Sequence, residues 1–395
     1  MAEDSQKPLK IYVIAGEPSG DLLAGRLIAA LREKADRKIE FFGVGGPRMA
    51  EEGLQSLFPM EELSVMGIAE ILPRAYRLMQ RMRETAAHVR EIRPEAIVTV
   101  DAPAFCFGVH RRLEGFPATR IHYVAPTVWA WRPGRAEKFA KVFDRLLVLL
   151  PFEPPWFERV GLATDFVGHS VLESDIDPDA GTEFRQRNGI EPDTTLLCIL
   201  PGSRRGEISR HLGIFGETAA MLEKGRRKFS VVIPTLPSKV GLVRQGTAGW
   251  SVPVTIVESE RERYEAMAAS DAALAASGTV ALELARARTP SVIAYRIHPL
   301  THLIVRNMVS VEYANLVNLL LDRPAVPEFL QGDCRADRLA GALEILLNDS
   351  EARQAQIKAY DQALSMLSND GKAPSEVAAD CVLDALGHSL PADRK

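Results

Sequence analysis

The hydrophobic positions of the chain form two series of short apolar runs, and longer segments with helical spacing separate the runs. Short apolar runs bounded by polar turns predict buried strands, and strands that alternate with helices indicate parallel sheets. The first series predicts strands at Ile11–Ala15, Ile39–Phe42, Ala96–Val100, Ile121–Val124, Leu146–Leu150 and Phe166–Val167. The second series predicts strands at Leu196–Leu200, Ser230–Pro234, Val254–Val257, Ala272–Ala275 and Ser291–Tyr295.

A polar stretch from Glu173 to Asp193 separates the two series and predicts a linker that runs into the first helix of the next unit. The pattern therefore predicts an α/β fold of two Rossmann-like, doubly wound domains that face each other across a cleft. We expect an N-terminal domain over residues 8–175 and a C-terminal domain over residues 176–350. A last helical segment, residues 351–388, could pack back on the N-terminal domain.

The composition of the chain narrows the range of possible functions. The 395 residues are 46% hydrophobic and carry a formal net charge of −4, so we expect a globular protein that does not bind nucleic acid. The four cysteines form no CxxC pair and the histidines form no HExxH motif, so the sequence predicts reduced thiols and neither a metal site nor a cofactor. The polar start and the lack of a run of ~18 apolar residues predict a cytoplasmic protein, with peripheral membrane contact left open.

Ligands bind parallel sheets at the carboxyl ends of their strands, so the loops that follow the strands are the candidate sites. The first strand is followed by Gly16-Glu17-Pro18-Ser19-Gly20-Asp21, which allows close backbone approach to a ligand but matches neither the dinucleotide nor the P-loop pattern. A plain turn with Ser19 or Asp21 as helix cap explains this loop equally well.

Two further loops of the first half carry candidate chemistry. Asp101-Ala102-Pro103 follows a buried strand, and Asp101 there could take a proton from an attacking hydroxyl or could cap the next helix. The loop from Ala125 to Arg132 holds Trp129 and Trp131. These indoles could line a sugar or acyl site beside Arg132, or could serve only in packing between the two domains.

In the second half, the strand Leu196–Leu200 ends in a Gly-Ser turn with Ser203 and Arg204, which suits a diphosphate. The strand Ala272–Ala275 ends in Ser277-Gly278-Thr279, and Glu283 follows on the same helix face as Thr279. Hydroxyls at a helix start can hold phosphate, and a carboxylate one turn further can accept from two ribose hydroxyls. Glu283 alone would be an ordinary solvated residue.

A basic amphipathic stretch runs from Ile68 to Arg93. Apolar residues recur in it at helical spacing and arginines flank them, a pattern that is typical of helices on membrane surfaces. An ordinary helix with one face in the core and solvated arginines fits the pattern equally well. The candidate membrane residues are Ile68, Ile71, Leu72, Leu78, Met79 and Met82.

Many short motifs, in their order along the chain, resemble those of the lipid-A-disaccharide synthase family. The matching segments are Gly16–Asp21, Val44–Met49, Met66-Gly67, Asp101–Pro103, His122–Pro126, Val128–Arg132, Val167–His169, Leu200–Arg204, Ser277–Thr279, Leu282-Glu283, Tyr295-Arg296 and Asn318–Leu320. The resemblance covers nearly the whole chain, from about Ile11 to about Leu386.

The resemblance implies a B-type glycosyltransferase that inverts the anomeric centre without a metal. Its donor would be UDP-2,3-diacylglucosamine and its sugar acceptor 2,3-diacylglucosamine 1-phosphate. The products would be the β-1,6-linked lipid A disaccharide 1-phosphate and UDP, in the lipopolysaccharide biosynthesis of Gram-negative bacteria. The N-terminal domain would bind the sugar acceptor and the phospholipid surface of the inner membrane, and the C-terminal domain would bind the donor. An apolar surface favours either lipid contact or a homodimer.

The resemblance also assigns residues. Asp101 matches the proposed base, and Glu17 is the second catalytic candidate. The donor-site candidates are Ser203, Arg204, Ser277, Gly278, Thr279, Glu283 and Asn318. The candidates in the sugar-acceptor and cleft loops are Gly16, Ser19, Gly20, Asp21, Trp129, Trp131 and Arg132.

Two positions depart from the family's pattern. Ala104 stands where many members have a second acid, which leaves Asp101 as the lone carboxylate of its loop. Val317 stands where proline often precedes the asparagine, which weakens the assignment of Asn318. The alternatives are another UDP-sugar enzyme of the same fold, such as a 2-epimerase or a murein-type transferase, and a non-catalytic glycolipid-binding protein.

Overall fold

The protein is represented by a computed structural model that describes residues 7–63, 71–131, 133–225, 228–297 and 311–387. Within these residues the strands build two six-stranded sheets. The strands of the first sheet are β1 (Leu9–Ala15), β2 (Ile39–Val44), β3 (Ala96–Val100), β4 (Thr119–Tyr123), β5 (Arg145–Val148) and β6 (Ala163–Phe166). The strands of the second sheet are β7 (Thr195–Leu200), β8 (Phe229–Pro234), β9 (Val254–Val257), β10 (Ala272–Ala275), β11 (Ser291–Tyr295) and β12 (Glu328–Leu330).

Helices connect the strands of both sheets. In the first half they are Pro18–Lys34, Pro47–Glu51, Ile71–Ile92, Pro103–Arg112, Ala136–Ala140 and Pro154–Glu158. In the second half they are Gly181–Arg187, Arg205–Glu223, Val240–Thr247, Glu260–Ala269, Val280–Arg286, Leu316–Leu321, Ala336–Asn348, Ser350–Met366 and Pro374–Ala385. Short 3-10 helices lie at Met60–Glu62, Pro133–Arg135, Ser170–Glu173, Pro178–Ala180, Pro237–Lys239 and Gln331–Asp333.

Every strand pair in both sheets is parallel. The first sheet has the order β2-β1-β3-β4-β5-β6 and the second the order β12-β11-β10-β7-β8-β9. The predicted α/β class with two doubly wound sheets is therefore confirmed. Each of the predicted strands overlaps a strand of the structure, although Phe166–Val167 shares only Phe166 with β6. The sequence did not predict β12, because its three residues follow a proline and carry no apolar run. Parallel pairing brings the loops after β1, β3 and β4, and those after β7, β10 and β11, to one edge of their sheets.

The chain divides into two compact units. The first contains the described residues up to Ser170 together with those from Leu367 onward, and the second contains Val171–Met366. The structure thus splits the C-terminal segment, which the sequence suggested as one group over residues 351–388. Helix Ser350–Met366 stays with the second unit, and helix Pro374–Ala385 packs against helix Pro18–Lys34 of the first.

Polar bonds tie both C-terminal helices to their sheets. The side-chain carbonyl of Gln356 accepts the backbone N–H of Ser291 at 2.6 Å, and the hydroxyls of Tyr360 and Ser291 lie 2.9 Å apart. In the first unit, Arg145 bonds Asp165 of β6 and Asp384 of the last helix at 2.6 Å each. The bonds to Ser291 are buried and spare these groups the cost of desolvation, whereas the bond from Arg145 to Asp384 lies at the surface and adds less.

Each sheet lies between helices that cover its two faces. In the first unit, helices Pro18–Lys34 and Pro374–Ala385 cover one face of β1 and β3, while helices Ile71–Ile92 and Pro103–Arg112 cover the other. In the second unit, helices Arg205–Glu223 and Ala336–Asn348 share one cluster of buried apolar side chains with the strands. The central strands are apolar on both faces for this reason.

Candidate active site

The loops after β1 and β3 are packed directly against each other in the first unit. A Cβ atom on Gly16 would lie only 2.7 Å from the Cβ of Ala102. A Cβ atom on Gly20 would lie 3.2 Å from the carbonyl oxygen of Val100. Two loops that are far apart in sequence thus meet beside Asp101, and the glycines are required because a larger residue would push them apart.

Asp101 sits in a strained turn at the tip of β3. Asp101 and Ala102 have φ angles of 53° and 46°, in the left-handed region that costs a residue with a Cβ roughly 1–2 kcal/mol. The backbone N–H of Asp101 donates to the carbonyl oxygen of Tyr123 on β4 at 3.0 Å, and the thiol of Cys106 donates to the carbonyl oxygen of Asp101 at 3.4 Å. Strain that the surrounding contacts hold in place is common where a side chain must be aimed.

The carboxylate of Asp101 is half-buried, and it makes no hydrogen bond or ion pair with any described residue. It does not cap the helix that follows, because Ala102 occupies the cap position of Pro103–Arg112 and no side chain bonds that helix start. The alternative interpretation of Asp101 as a helix cap is therefore wrong. A carboxylate held at the tip of a central strand without a partner is free to accept a proton.

The remaining residues of the first loop have different surroundings. Glu17 is half-buried and directly precedes helix Pro18–Lys34, and Ser19 is exposed. Asp21 is buried, and its carboxylate accepts the backbone N–H groups of Gly46, Arg48 and Met49 at 2.7, 2.9 and 3.2 Å.

Asp21 therefore braces the loop after β2. Its oxygens cap the start of helix Pro47–Glu51, and its position next to Gly20 links that helix to the loop after β1. We expected Asp21 in a ligand-facing loop, or as a cap of its own helix. The structure corrects both expectations, because the hydrogen bonds of this carboxylate go to another loop.

The loop after β4 presents one of its two tryptophans and buries the other. Trp129 is 9% exposed, packs edge-on against Phe152, and donates its indole N–H to Glu153 at 3.1 Å. Trp131 is half-buried and donates its indole N–H to the hydroxyl of Thr127 at 3.2 Å. Trp129 thus packs within the first unit, and these contacts are with neither a ligand nor the other unit, while Trp131 remains near the surface. Arg132 lies outside the described residues.

The loops after β7 and β10 adjoin in the second unit, because these two strands are neighbours in the sheet. Gly202 has a φ of 111°, and a Cβ atom there would lie 2.7 Å from a carboxylate oxygen of Glu207. The carboxylate of Glu207 accepts the backbone N–H groups of Ser203 and Arg204 at 3.2 Å each and the hydroxyl of Tyr295 at 3.1 Å. The Arg204 side chain, at the start of helix Arg205–Glu223, is 63% exposed.

Glu207 was absent from the sequence-based candidates, although glutamate three residues into a helix is a known capping pattern. Burial alone would raise the pKa of Glu207, but the backbone N–H groups, the Tyr295 hydroxyl and Arg204 together lower it. The carboxylate therefore stays ionised while it shapes the turn. The N–H groups of Ser203 and Arg204 are taken by Glu207, so the exposed guanidinium of Arg204 at the helix start is the group that an anion can reach.

His211 links the turn after β7 to the end of β11. Its Nδ1 donates to the carbonyl oxygen of Pro201 at 2.8 Å, and its Nε2 accepts the backbone N–H of Arg296 at 3.0 Å. The ring stacks on Phe215. Burial lowers the pKa of His211, so the neutral tautomer with the proton on Nδ1 makes both bonds.

Within the segments that the structure describes, Glu283 forms an ion pair through only one of its two carboxylate oxygens. Its Oε1 lies 3.2 Å from the guanidinium of Arg263, while its Oε2 is buried and has no partner among the described residues. Burial raises the pKa of Glu283 and Arg263 opposes that shift. A buried acceptor without a partner costs about 1–3 kcal/mol, so a ligand hydroxyl at Oε2 would be stabilising.

Ser277, Gly278 and Thr279 form the loop before the Glu283 helix. The hydroxyl of Ser277 donates to the carbonyl oxygen of Ala314 at 2.9 Å, so it braces the loop. Gly278 has a φ of 151°, and both it and Thr279 are exposed at the start of helix Val280–Arg286. Of the three residues, only Thr279 presents an exposed side-chain hydroxyl.

Asn318 lies in the interior of the second unit. It is 1% exposed, and its amide nitrogen donates to the carbonyl oxygen of Val326 at 2.8 Å and to Glu328 at 2.7 Å. Its side-chain oxygen accepts the backbone N–H of Val326 at 2.8 Å. The sequence predicts that Asn318 contacts the UDP-sugar. In the structure, both N–H bonds of its side-chain amide point to acceptors within the protein. It therefore holds the segment before β12 in place.

Helix Ile71–Ile92 buries part of its apolar face. Leu78 and Met82 pack against the apolar cluster below the first sheet, whereas Met79 is 44% exposed and Tyr76 is 70% exposed. The membrane interpretation is thus corrected for Leu78 and Met82, whose contacts are with the core. Ile68 lies outside the described residues, as do the side chains of Ile71 and Leu72.

Two arginines of this helix are paired. Arg77 and Arg81 each donate two hydrogen bonds to the carboxylate of Glu62, at 2.7–2.9 Å. These hydrogen bonds lower the pKa of Glu62 to about 2. Arg83 stays exposed on the surface that carries Tyr76 and Met79. The net basic charge of the helix is therefore smaller than the sequence alone suggested.

The described residues contain no group of three or more histidine, cysteine, aspartate or glutamate residues that could hold a metal ion. They also contain no helix long and apolar enough to cross a membrane.

Solved structures of other proteins share this fold. An S. aureus MnaA–UDP co-structure matches 98% of this chain and 100% of its own at a TM-score of 0.64 and 12% identity. Acinetobacter baumannii MurG matches 96% of this chain and 100% of its own at a TM-score of 0.58 and 11% identity. The two sheets and the loops at their carboxyl ends thus define the B-type glycosyltransferase fold.

Sequence relatives narrow this class to one family. The lipid-A-disaccharide synthetase family matches residues 11–380. The lipid-A-disaccharide synthase of Rhodospirillum centenum is 54% identical over 98% of each chain, and that of Paramagnetospirillum magneticum is 48% identical over 95% of this chain and 97% of its own. The chain belongs to the lipid-A-disaccharide synthetase family, and it is a glycosyltransferase of lipid A biosynthesis. The resemblance inferred from the motifs is confirmed.

Proposed function

We propose that the protein joins UDP-2,3-diacylglucosamine to 2,3-diacylglucosamine 1-phosphate, giving the β-1,6-linked lipid A disaccharide 1-phosphate and UDP. The observation that carries this proposal is the half-buried carboxylate of Asp101 at the tip of β3, which has no partner in the described part of the chain. Membership in the synthetase family supplies the substrate class.

In this reaction Asp101 takes the proton from the 6-hydroxyl of the sugar acceptor. The hydroxyl oxygen forms a bond to C1 of the donor sugar as the bond from C1 to the UDP oxygen breaks, so the anomeric centre inverts in one displacement. A carboxylate with no partner among the described residues suits this role because none of them competes for the incoming proton. Glu17, half-buried in the adjoining loop, is the second carboxylate that could assist.

The departing UDP carries the negative charge that develops. Arg204, whose side chain is 63% exposed at the start of its helix, would bind the diphosphate together with the exposed hydroxyl of Thr279. The free oxygen of Glu283 would accept a ribose hydroxyl, which fits a buried acceptor that lacks a partner. Ser277 and Asn318 would support this site through the loops that they brace.

Both substrates carry acyl chains, so the enzyme would work at the phospholipid surface of the inner membrane. The exposed face formed by Tyr76, Met79 and Arg83 on helix Ile71–Ile92 supports such a contact. These positions are spaced at i, i+3 and i+7 and therefore share one side of the helix. Aromatic and apolar side chains beside an exposed arginine suit a headgroup boundary.

The decisive experiment supplies both acylated glucosamine substrates in mixed micelles and measures UDP release together with the disaccharide product. UDP release that requires both substrates supports the proposal. A UDP-sugar 2-epimerase would convert the donor without any sugar acceptor, and a murein-type transferase would use a different acceptor. A glycolipid-binding protein would bind the acylated sugars and release no UDP.

A further inference from the structure

A carboxyl group that the proposed reaction does not use lies in the loop after β5. Glu153 is 4% exposed. One of its oxygens accepts the backbone N–H groups of Leu149 and Leu150 at 3.2 and 2.9 Å, and the other accepts the indole N–H of Trp129 at 3.1 Å. Burying a carboxylate is costly, and a site that surrounds one with three N–H groups holds it in a single geometry.

Through this contact the loop after β5 holds the loop after β4, which we define as residues 124–131. Trp129 is the anchor of that loop, because its ring is buried, packs edge-on against Phe152 at 5.1 Å, and bonds Glu153. Val128 is buried with Phe139 and Phe157 in the same apolar cluster. The loop cannot move without giving up these contacts.

The loop of residues 124–131 begins beside the candidate base. β4 pairs with β3, and the carbonyl oxygen of Tyr123, the last residue of β4, accepts the backbone N–H of Asp101. Val124 follows with a φ of 80°, which is rare and strained for a β-branched residue. A strained residue at the start of a loop persists only if other contacts of the loop hold it, and the hydrogen bond between Trp129 and Glu153 is such a contact.

Two opposing effects determine the pKa of Glu153. Burial raises its pKa to about 7, and the N–H groups of Leu150, Trp129 and Leu149 oppose that rise. Charged groups on the neighbouring helices Ala136–Ala140 and Pro154–Glu158, and next to them, are Arg135, Glu137, Lys138, Lys141, Glu158 and Arg159. None of these exchanges a hydrogen bond or ion pair with Glu153, so burial and the three N–H groups determine its charge.

We propose that Glu153 is a positioning residue for the glycosyl transfer, and that its carboxylate, acting through Trp129, holds the loop of residues 124–131 in the shape that receives the sugar acceptor beside Asp101. The inference rests on the proposed function. A protonated Glu153 has one fewer free acceptor position for the three N–H groups, so the loop loosens when Glu153 takes up a proton.

The test compares Glu153→Gln, Trp129→Phe and the double variant with the wild type and with Glu158→Gln, an exposed glutamate on the next helix. Kinetics are measured from about pH 5.5 to pH 8.5, with UDP-2,3-diacylglucosamine as donor and 2,3-diacylglucosamine 1-phosphate as acceptor. UDP affinity and Tm are measured for each protein. Labelled tryptophan in the wild type reports the indole N–H resonance of Trp129 against pH.

We expect Glu153→Gln to raise the KM for the sugar acceptor about tenfold at pH 8, as for loss of one charge-assisted hydrogen bond, with UDP affinity unchanged. The wild-type KM should rise as the pH falls through about 7, while that of the variant stays flat. Trp129→Phe should reproduce the shift, and the double variant should add nothing. The Trp129 resonance should titrate over the same range, which needs no variant to fold.

The inference is overturned if Glu153→Gln lowers Tm but leaves the acceptor KM and its pH profile as in the wild type, or if the Trp129 resonance does not titrate. Equal losses in UDP affinity and acceptor KM would also overturn it, because they indicate general damage. Failure of the proposed function is seen separately, since the wild type would then release no UDP from the two acylated substrates.

Discussion

Gly16 and Ala102 come so close that a Cβ atom on Gly16 would lie 2.7 Å from the Cβ of Ala102. Real Cβ atoms essentially never approach each other so closely, so one loop must shift if Gly16 gains a side chain. Ala102 is already in the left-handed region and adjoins the strained Asp101. A shift at this contact therefore changes the direction of the candidate base before it disturbs the core.

Gly16→Ala is predicted to reduce turnover by about tenfold or more while UDP affinity stays unchanged, because a misplacement of about 1 Å can cost a large factor in rate. Gly213→Ala is the matched control, since a Cβ on Gly213 meets nothing within 4 Å and this glycine lies within helix Arg205–Glu223. Turnover equal to wild type in Gly16→Ala would show that the contact does not orient Asp101.

Asp101→Asn tests the base itself. The substitution keeps the shape of the side chain and removes its ability to take a proton, so turnover should fall by roughly 10²–10⁴ while UDP affinity and Tm are retained. Glu17→Gln, made in parallel, shows whether the neighbouring carboxylate shares the role. Near wild-type turnover in Asp101→Asn would remove Asp101 from the mechanism.

The nucleotide site is tested by direct binding of UDP. Arg204→Ala and Glu283→Ala should each weaken UDP binding by roughly 1–3 kcal/mol, as expected for a lost charge-assisted hydrogen bond. Arg244→Ala removes an exposed arginine from another helix of the same unit and should leave the affinity unchanged. Calorimetric titration distinguishes these cases, and unchanged affinity in both site variants would place the nucleotide elsewhere.

The sequence predicted the strands and the loops that matter, because an apolar run and the polar residues that end it are local features. It could not predict which side chains of those loops face inward. Asp21 and Trp129 look like ligand-facing residues in the sequence, yet Asp21 bonds Gly46 and Trp129 bonds Glu153, partners at least 24 residues away. Contacts between residues so far apart in the chain produce no periodic pattern in the local sequence.

The same limit explains the amphipathic helix. Leu78 and Met79 are adjacent apolar residues, and helical spacing alone assigns both to one broad apolar stripe. The structure turns Leu78 towards the core and leaves Met79 exposed. Glu62, which neutralises Arg77 and Arg81, belongs to a separate 3-10 helix and therefore lies outside the pattern that suggested a basic surface.

A buried histidine pair predicts how stability depends on pH. Burial lowers the pKa of His110 and of His122 to about 3, from an ordinary value of 6.5. The unfolded chain takes up protons at these positions below pH 6.5 while the folded protein does not, so the free energy of unfolding falls as the pH decreases from about 6.5 towards 3. Each histidine contributes up to about 1.4 kcal/mol per pH unit over that window.

His110→Phe should flatten this dependence. Neither ring nitrogen of His110 has a partner among the described residues, and the ring packs edge-on against Phe143, so phenylalanine should fit with little loss at pH 8. Urea unfolding at pH 8 and pH 5 measures the difference. The prediction is contradicted if the free energy of unfolding falls by the same amount from pH 8 to pH 5 in the variant and in the wild type.

Membrane contact is tested at the exposed face of helix Ile71–Ile92. Tyr76 and Met79 are 70% and 44% exposed, so replacing them with serine should not disturb the packing that Leu78 and Met82 provide. Each large apolar side chain that inserts into a bilayer stabilises binding by about 1.5–3 kcal/mol. The double variant Tyr76→Ser/Met79→Ser should therefore bind vesicles of phosphatidylglycerol and phosphatidylethanolamine at least tenfold more weakly, with Tm unchanged.

Met221→Ser is the matched control, because Met221 is a methionine of nearly equal exposure, 45%, on the second unit. Flotation of each protein with the vesicles, at low and high salt, separates the apolar part of binding from the part due to Arg83, which salt screens. If the double variant floats as the wild type does, the contact lies elsewhere. If it unfolds, these side chains support the fold and the helix carries no membrane face. If Met221→Ser loses binding equally, the loss is unrelated to this helix.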